Sequence, residues 1–309
     1  MPPLLHRLTD HITTIDLQLQ GRPNVIAAYL FYDGVQAALI ETGPASTVEN
    51  LLAGVHAAGV PLDALRQLIV THIHLDHSGG AGVLAQRLPR ARVYVHPVGA
   101  PHLVDPSKLL TSAQRIYGDK MESLWGNPLP VPQDRLVVVN DGDEIKIPGG
   151  TLRAIDTPGH ARHHHTYLDS TSGLLFTGDV GGVRLPNIKY VRPPTPPPEL
   201  DIDAWVASIA KLRALPATGV CPTHFGFFRG DVAWHWDDLE KRLVEWGQLV
   251  RRELAQGADE NIILARLKTQ SASEFQKLGT TGKAYDVAVS YESLVSGYVR
   301  YWRKQNGGK

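Results

Sequence analysis

The chain has 309 residues, of which 43% are hydrophobic and 20% are charged. This composition is typical of a globular protein with a buried core, and it excludes disordered, collagen-like and coiled-coil classes. The 31 basic residues balance the 31 acidic ones. No overall field therefore attracts polyanions, and we expect no nucleic-acid partner.

Cysteine usage and hydropathy predict the compartment. The single cysteine, Cys221, cannot form a disulfide within the chain, and the first 20 residues lack the apolar stretch of a secretory signal. No window approaches the roughly 18 to 20 consecutive apolar residues of a membrane span. We therefore expect a soluble, cytoplasmic protein with no membrane partner. The sequence predicts no particular oligomeric state.

The N-terminal third predicts strands joined by tight turns. Strands are expected over residues 12–19, 25–32 and 35–40, the last two joined by the hairpin signal Asp33-Gly34. A helix over residues 46–58 follows, with Gly59 as its C-terminal stop. Residues 65–70 are nearly all apolar, which predicts a buried strand that runs into a polar loop.

The rest of the chain alternates strands with helices and ends in helices. Further strands are predicted over residues 92–96, 136–140, 144–147, 151–156, 166–169 and 174–176, with hairpins joining 136–140 to 144–147 and 166–169 to 174–176. The proline-rich residues 193–198 predict an extended spacer. Apolar residues at steps of three and four predict one helix over 231–256 and another from Ala284 to Trp302. Both stripes are expected to pack on the main body.

A cluster of metal-ligating residues follows the apolar strand at residues 65–70. The run His72-Ile73-His74-Leu75-Asp76-His77 places four potential ligands in six positions. In an extended segment His72 and His74 point the same way and can reach one metal, whereas Asp76 and His77 lie where the chain turns and can face a second. Three more candidates follow other predicted strands: His160, Asp179 and His224.

These motifs resemble, in the same order, the ligand motifs of metallo-β-lactamase-fold hydrolases. They are His72-Ile73-His74-Leu75-Asp76-His77, Thr157-Pro158-Gly159-His160, Thr177-Gly178-Asp179 and Pro222-Thr223-His224, and the resemblance spans residues 41 to 224. It implies an α/β fold, an αββα sandwich of two mixed β-sheets flanked by helices. We expect this domain over residues 1–228, with a C-terminal helical extension over 229–309 packed on it.

The resemblance also implies a role for each ligand. His72, His74 and His160 would bind one metal, Asp76, His77 and His224 the other, and Asp179 would bridge them. Glu41 stands where the family usually has Asp and would support the histidine loop, and His164 would lie just behind the ligands. We expect the neighbouring His163 and His165 to be solvent or packing residues and Cys221 to lie in the core, and we assign no role to His96.

The implied chemistry is hydrolysis of a small-molecule substrate at two divalent metal ions, most simply Zn, with Fe or Mn as alternatives. A metal-bridging hydroxide would attack the carbonyl of a thioester, ester or lactone, and Asp76 would orient it or protonate the leaving group. The seven ligands resemble those of hydroxyacylglutathione hydrolases, whereas true β-lactamases of this fold lack the bridging Asp or use a Cys ligand. Two alternatives remain: a mononuclear-iron sulfur dioxygenase, and a phosphodiesterase or nuclease.

Overall fold

The computed structural model describes residues 2–307, and two β-sheets face each other in it. Within the described chain the first sheet has seven strands, in chain order: β1 (Leu4–Arg7), β2 (Ile12–Asp16), β3 (Ala27–Tyr32), β4 (Ala37–Ile40), β5 (Leu65–Ile69), β6 (Arg92–Val95) and β7 (Leu136–Val138). Strands β1 to β4 run antiparallel to their neighbours, whereas β4 to β7 are parallel, so this sheet is mixed.

The second sheet is also mixed, because Leu174–Phe176 pairs in parallel with Gly219–Cys221 and its other pairs are antiparallel. Across residues 2–307 it has six strands, ordered β13-β12-β11-β10-β9-β8: β8 (Glu144–Ile147), β9 (Gly150–Asp156), β10 (His165–Asp169), β11 (Leu174–Phe176), β12 (Gly219–Cys221) and β13 (Phe228–Arg229). The predicted sandwich of two mixed sheets is confirmed.

Alternation along β3 shows how the layers are built. Tyr29 and Phe31 point toward the second sheet and meet the ring of Phe176, with ring centroids 5.0 and 5.3 Å away. Between them Leu30 points the other way, into a cluster with Leu51 and Leu84, which belong to helices outside this sheet. Side chains of a strand alternate between its two faces, so this strand is buried on both. Its nearly all-apolar sequence follows from that burial.

The helices lie outside the sheets. They are α1 (Val48–Ala57), α2 (Leu75–Ser78), α3 (Ala81–Arg87), α4 (Ala100–Val104), α5 (Ser107–Tyr117), α6 (Met121–Trp125), α7 (Ile202–Arg213), α8 (Val232–Ala255), α9 (Glu260–Lys277), α10 (Tyr285–Ala288) and α11 (Tyr291–Gln305). Among them, over the described residues, no helix combines the length and apolar character that crossing a membrane requires.

The C-terminal helices pack on the main body through the predicted stripe on α8. Trp236, Leu243 and Trp246 of this stripe are fully buried. The sequence interpretation did not predict α9, and its single final helix from Ala284 is wrong: Val289 is extended, and Ser290 caps a new helix by accepting a hydrogen bond from the Ser293 N–H at 3.2 Å.

A buried arginine joins these helices to the rest of the chain. Arg192 lies in the loop that follows β11, and its guanidinium donates to the Asp286 carboxylate at 2.7 Å and to the Tyr291 hydroxyl at 2.8 Å. The division into residues 1–228 and 229–309 stays a prediction, and its residues 1, 308 and 309 lie outside the described residues.

One predicted hairpin is wrong. Strands β7 and β8, expected to pair around Asp141-Gly142, belong to different sheets, because β7 pairs with β6 and β8 pairs with β9. An Asp-Gly turn signal specifies that the chain reverses but not which strand it pairs with. Here the Asp141 carboxylate accepts a hydrogen bond from the Asp156 N–H at 2.7 Å, and the turn carries the chain from one sheet to the other.

Candidate metal centre

The seven predicted ligands lie together at one edge of the sandwich. The run from His72 to His77 follows β5, His160 follows β9, Asp179 follows β11 and His224 follows β12. A rigid sheet fixes the positions of residues at its strand ends, whereas the loops between them can vary. The structure therefore brings together all seven side chains that the sequence places after strands.

The ligand atoms form two groups. In the first, His74 Nδ1 lies 2.9 Å from both His72 Nε2 and His160 Nε2. In the second, Asp76 Oδ2 lies 3.3 Å from His224 Nε2 and 3.6 Å from His77 Nε2.

Asp179 lies between the two groups and turns one oxygen to each. Its Oδ2 is 3.2 Å from His160 Nε2 in the first group. Its Oδ1 is 3.2 Å from His77 Nε2 and 3.4 Å from His224 Nε2 in the second. This is the arrangement that the sequence resemblance implies for a bridging carboxylate.

Hydrogen bonds behind the histidines fix which ring nitrogen faces inward. Each outer Nδ1 lies against an oxygen that only accepts: His160 against the Pro194 carbonyl at 2.8 Å, His224 against the Val25 carbonyl at 2.7 Å and His77 against the Glu41 carboxylate at 2.9 Å. Nδ1 must therefore carry the proton, and in a neutral ring Nε2 turns a lone pair to the centre. Such outer partners are usual for metal-bound histidines.

His72 follows the same rule through a hydroxyl. The Thr71 hydroxyl donates its proton to Glu41 Oε1 at 2.6 Å, so it accepts from His72 Nδ1 at 3.1 Å. The Nε2 lone pair of His72 then points at His74. His74 Nδ1 has at most one proton to share with two Nε2 atoms at 2.9 Å, so at least one of these contacts joins two lone pairs.

The distances between ligand atoms within each group are close to those expected between ligands of one bound cation. Two ligands bound at 2.0 to 2.1 Å to a tetrahedral ion lie about 3.3 Å apart. His77 Nε2 and Asp179 Oδ1 are buried, and neither has a hydrogen-bond partner among residues 2–307. Imidazole and carboxylate are the ligand types of Zn, Fe, Mn and Co. The residues present thus fit divalent metal ions.

The pKa shifts of His77 and Asp76 indicate that the second group of ligands favours a positive charge at its centre. Burial opposes protonation of His77, but the carboxylates of Asp179, Glu41 and Asp76 outweigh it and raise its pKa well above the ordinary value. Burial also opposes ionisation of Asp76, but His77 and His224 bring its pKa to about 2. Protons or a divalent cation can supply the charge that these carboxylates favour.

The first group behaves differently. Burial and the neighbouring histidine His160 lower the pKa of His74 to about 4. Burial, followed by the other imidazoles, lowers the pKa of His72 well below its usual range. Both rings are neutral near pH 7, which is the form that binds a metal.

Glu41 connects two of the ligand loops, the one from Thr71 to His77 and the one that contains Thr223 and His224. The residue is fully buried, and its backbone adopts the left-handed conformation with φ 69°. Its Oε1 accepts from the Thr71 hydroxyl, from His77 Nδ1 and from the Thr223 hydroxyl, the last two at 2.9 Å. The extra methylene relative to the Asp usual in the family is accommodated, and the carboxylate reaches all three donors.

His164 holds the loop of Asp179. Its Nδ1 lies 2.9 Å from the Thr157 hydroxyl, and its Nε2 accepts from the Asp179 N–H at 3.2 Å. A Cβ at Gly178, where φ is 51°, would come within 2.6 Å of His164 Nε2, so glycine is required there. His163 is also buried, and its ring stacks on His72 with centroids 6.0 Å apart. Cys221 lies in the core, as predicted.

The sequence does not predict several of the groups that hydrogen-bond to the ligands and to Glu41. Thr71 and Thr223 each precede a ligand directly, and this adjacency is a signal that could have identified them. The carbonyls of Val25 and Pro194 carry no such signal, because a main-chain oxygen is the same in every residue. The latter belongs to the predicted proline-rich spacer, which therefore contacts the centre.

Residues 21–224 match the family model described as the metallo-beta-lactamase superfamily. This match covers well over half of the chain, so the protein belongs to that superfamily. Members are mostly metal-dependent hydrolases. Family and site together support a metal-dependent hydrolase in general.

Among individual proteins, the chain is similar to the metallo-beta-lactamase fold-containing protein ST1585 of Sulfurisphaera tokodaii. The two are 28% identical over 66% of this chain and 74% of that protein. The ST1585 crystal structure superposes with a TM-score of 0.60 over 72% of this chain and 81% of that one.

Two relatives have names that state an activity. The atrochrysone carboxyl ACP thioesterase of Aspergillus fumigatus is 25% identical over 87% of this chain and 49% of that protein. A hydroxyacylglutathione hydrolase of Cupriavidus taiwanensis is 32% identical over 49% of this chain and 47% of that protein. The match to each thus covers about half of the relative's length.

Proposed function

We propose that the protein is a dinuclear metal-dependent hydrolase that cleaves a thioester, ester or lactone. One observation carries the proposal: lone pairs and carboxylate oxygens face each other at 2.9 to 3.6 Å in two groups that share Asp179. His72, His74, His160 and Asp179 would hold one cation, and Asp76, His77, His224 and Asp179 the other. Bound cations would supply a water of lowered pKa and polarise the substrate carbonyl.

The chain's own residues define the side from which substrate approaches. Five of the seven ligands are buried, whereas His74 and Asp76 are half-exposed, so the centre opens over these two. With its pKa at about 2, Asp76 is ionised at neutral pH and can accept a proton. Its position at the opening suits it to orient a nucleophilic water and then to pass a proton to the leaving group.

An apolar wall, formed by Leu75, Ala113, Tyr117 and Trp125, lies beside this opening. Leu75, between the two partly buried ligands His74 and Asp76, packs with Ala113 of α5 and Trp125 of α6. The Tyr117 ring lies edge-on to Trp125 with centroids 5.0 Å apart. Burial, with a contribution from the nearby Asp76 charge, raises the pKa of Tyr117, so its hydroxyl stays protonated. Such a wall favours a substrate with an apolar acyl group, which we propose as the substrate class.

Two further points support a thioester or ester over the alternatives. Both relatives named for an activity are named as hydrolases of acyl compounds. The second group has three ligand side chains of its own and Asp179 Oδ1 within 3.4 Å of two of them, which favours two metals over the single iron of a sulfur dioxygenase. The native metal is proposed to be zinc, and the single cysteine favours a cytoplasmic location.

The test is a substrate panel on protein loaded separately with Zn, Fe or Mn. It contains thioesters of increasing acyl length, an ester, a lactone, a phosphodiester and a cephalosporin, with oxygen uptake measured on a persulfide. His72→Ala is the inactive variant, and His56→Ala, on the exposed end of α1, is the matched control. We expect acyl hydrolysis that His72→Ala abolishes and His56→Ala retains. Oxygen uptake by a one-iron protein, or cleavage of the phosphodiester alone, would contradict the proposal.

A further inference from the structure

A second cluster of metal-ligating side chains lies where the two sheets meet. His96 follows β6 of the first sheet, whereas Asp156 ends β9 and His165 begins β10 of the second, where the two are cross-strand partners. One ligand atom from each lies within 4.8 Å of the others. The rings of His96 and His165 are 4.5 Å apart, and His96 Nε2 lies 3.1 Å from Asp156 Oδ1. None of the three belongs to the centre described above.

His165 shows that this cluster is incomplete. Its side chain is fully buried, yet neither ring nitrogen has a hydrogen-bond partner anywhere in residues 2–307. A buried polar atom without a partner has lost its hydrogen bonds to water and gained none in the protein, so native proteins rarely leave one in that state. Burial, with a smaller effect of His96, lowers the pKa of His165 to about 3. The ring is therefore neutral and offers an unshared lone pair.

We propose that His96, Asp156 and His165 form a third cation site, for Zn²⁺ or a similar transition-metal ion. Two neutral imidazoles and one carboxylate form a recognised zinc ligand set, with a fourth position left for water. The Asp156 side chain is 37% exposed and gives an ion and that water a path from solvent. Because the ligands come from both sheets, an ion here would tie β6 to the β9–β10 pair.

The surrounding charges favour a cation. The carboxylates of Asp141 and Asp143 act on His165, and Asp156 adds a third negative group. Lys211 opposes them, donating from Nζ to the Asp156 carbonyl at 2.7 Å; its side chain is exposed, as are those of Asp141 and Asp143, so water screens all three charges alike. Three carboxylates against one ammonium leave the site negative.

Binding requires one rearrangement at His96. The Val98 N–H donates to His96 Nδ1 at 3.0 Å, so Nε2 carries the proton and donates it to Asp156. For Nε2 to bind an ion, that proton leaves and Nδ1 takes one up, which breaks the Val98 bond. Val98 is 44% exposed, so water can replace that bond. One backbone hydrogen bond is thus exchanged for a bond to water, which is a small change beside the free energy of binding a zinc ion.

The test counts zinc in the full-length protein after dialysis at micromolar free zinc. Asp156→Asn keeps the shape of a half-exposed side chain, and His165→Ala removes the buried ring; His56→Ala is the control. We expect both site variants to hold one equivalent of zinc per chain fewer than the wild type and His56→Ala. Asp156→Asn alone decides the result if His165→Ala does not fold.

Equal zinc in all four proteins would overturn the site. So would a difference that appears only at millimolar zinc, which would mean an adventitious ion only. The count does not depend on hydrolysis: loss of acyl hydrolase activity in His72→Ala tests the catalytic centre, whereas the missing equivalent in Asp156→Asn tests the third site. Either proposal can therefore fail without the other.

Discussion

Replacing Glu41 by Gln tests whether this buried carboxylate organises the metal centre. The substitution keeps the size of the side chain and removes its charge. Three donors converge on Oε1: the Thr71 and Thr223 hydroxyls and His77 Nδ1. A hydrogen bond to a charged group contributes about 1 kcal/mol more than one between neutral groups. We therefore expect Glu41→Gln to lower the free energy of unfolding by about 3 kcal/mol.

The same substitution should weaken metal binding. The partner of the outer nitrogen of a metal-bound histidine typically accounts for about 10- to 100-fold in affinity, and Glu41 is that partner for His77. Urea unfolding in the presence of a chelator measures stability, and competition with a chromophoric zinc chelator measures affinity. We expect the loss of affinity to fall on the His77 group.

Asp169→Asn is the matched control. This carboxylate is also buried, but it accepts from the Thr171 and Ser172 N–H groups in the turn between β10 and β11. That turn lies at the opposite end of these strands from the metal centre, so the variant should lose stability and keep its metal affinity. An unchanged affinity in Glu41→Gln, or an equal loss in Asp169→Asn, would refute the organising role.

Three further substitutions test other parts of the account. Asp179→Ala should lower bound metal and activity while the far-ultraviolet circular dichroism is retained, and full metal content would contradict its bridging position. Gly178→Ala places a Cβ 2.6 Å from His164 Nε2 at φ 51° and should cost about 1 to 3 kcal/mol of stability, which urea unfolding measures. Burial, then the charge of Arg184, lowers the pKa of His235 to about 3 in the folded protein. The unfolded chain, with an ordinary histidine pKa of about 6.5, therefore takes up a proton that the folded protein does not, and the free energy of unfolding decreases as the pH is lowered below about 6.5. Between pH 7 and pH 5 the wild type should lose about 2 kcal/mol more than His235→Gln, and parallel curves would show that His235 does not carry this dependence.

The sequence predicted which polar side chains lie together better than it predicted strand pairing. All seven candidate ligands meet at one edge of the sandwich, because His and Asp residues that follow predicted strands form a pattern that can be recognised in the sequence alone. The predicted pairing of β7 with β8 is wrong because the residues of a turn are the same whether the next strand joins the same sheet or the facing one. The prediction of one continuous final helix failed because apolar residues keep their helical spacing on both sides of the break at Val289.

Contacts between residues that are distant in the sequence show a second limit of prediction from sequence. Glu41 was identified, but its contact with Thr223 depends on two loops that are 182 residues apart in sequence and meet only in the fold. The cluster of His96, Asp156 and His165 had no signal at all, since its members lie on three strands of two sheets and follow no motif. His165 was expected to be a solvent or packing residue, and its full burial without partners emerges only in three dimensions.

An anomalous difference map from crystals of the zinc-loaded protein, recorded on both sides of the zinc edge, tests the central claim most directly. A dinuclear centre gives two strong peaks at the sheet edge, one among His72, His74 and His160 and one among Asp76, His77 and His224, with Asp179 in contact with both. A map with one peak at this edge, or with none, would contradict the dinuclear centre.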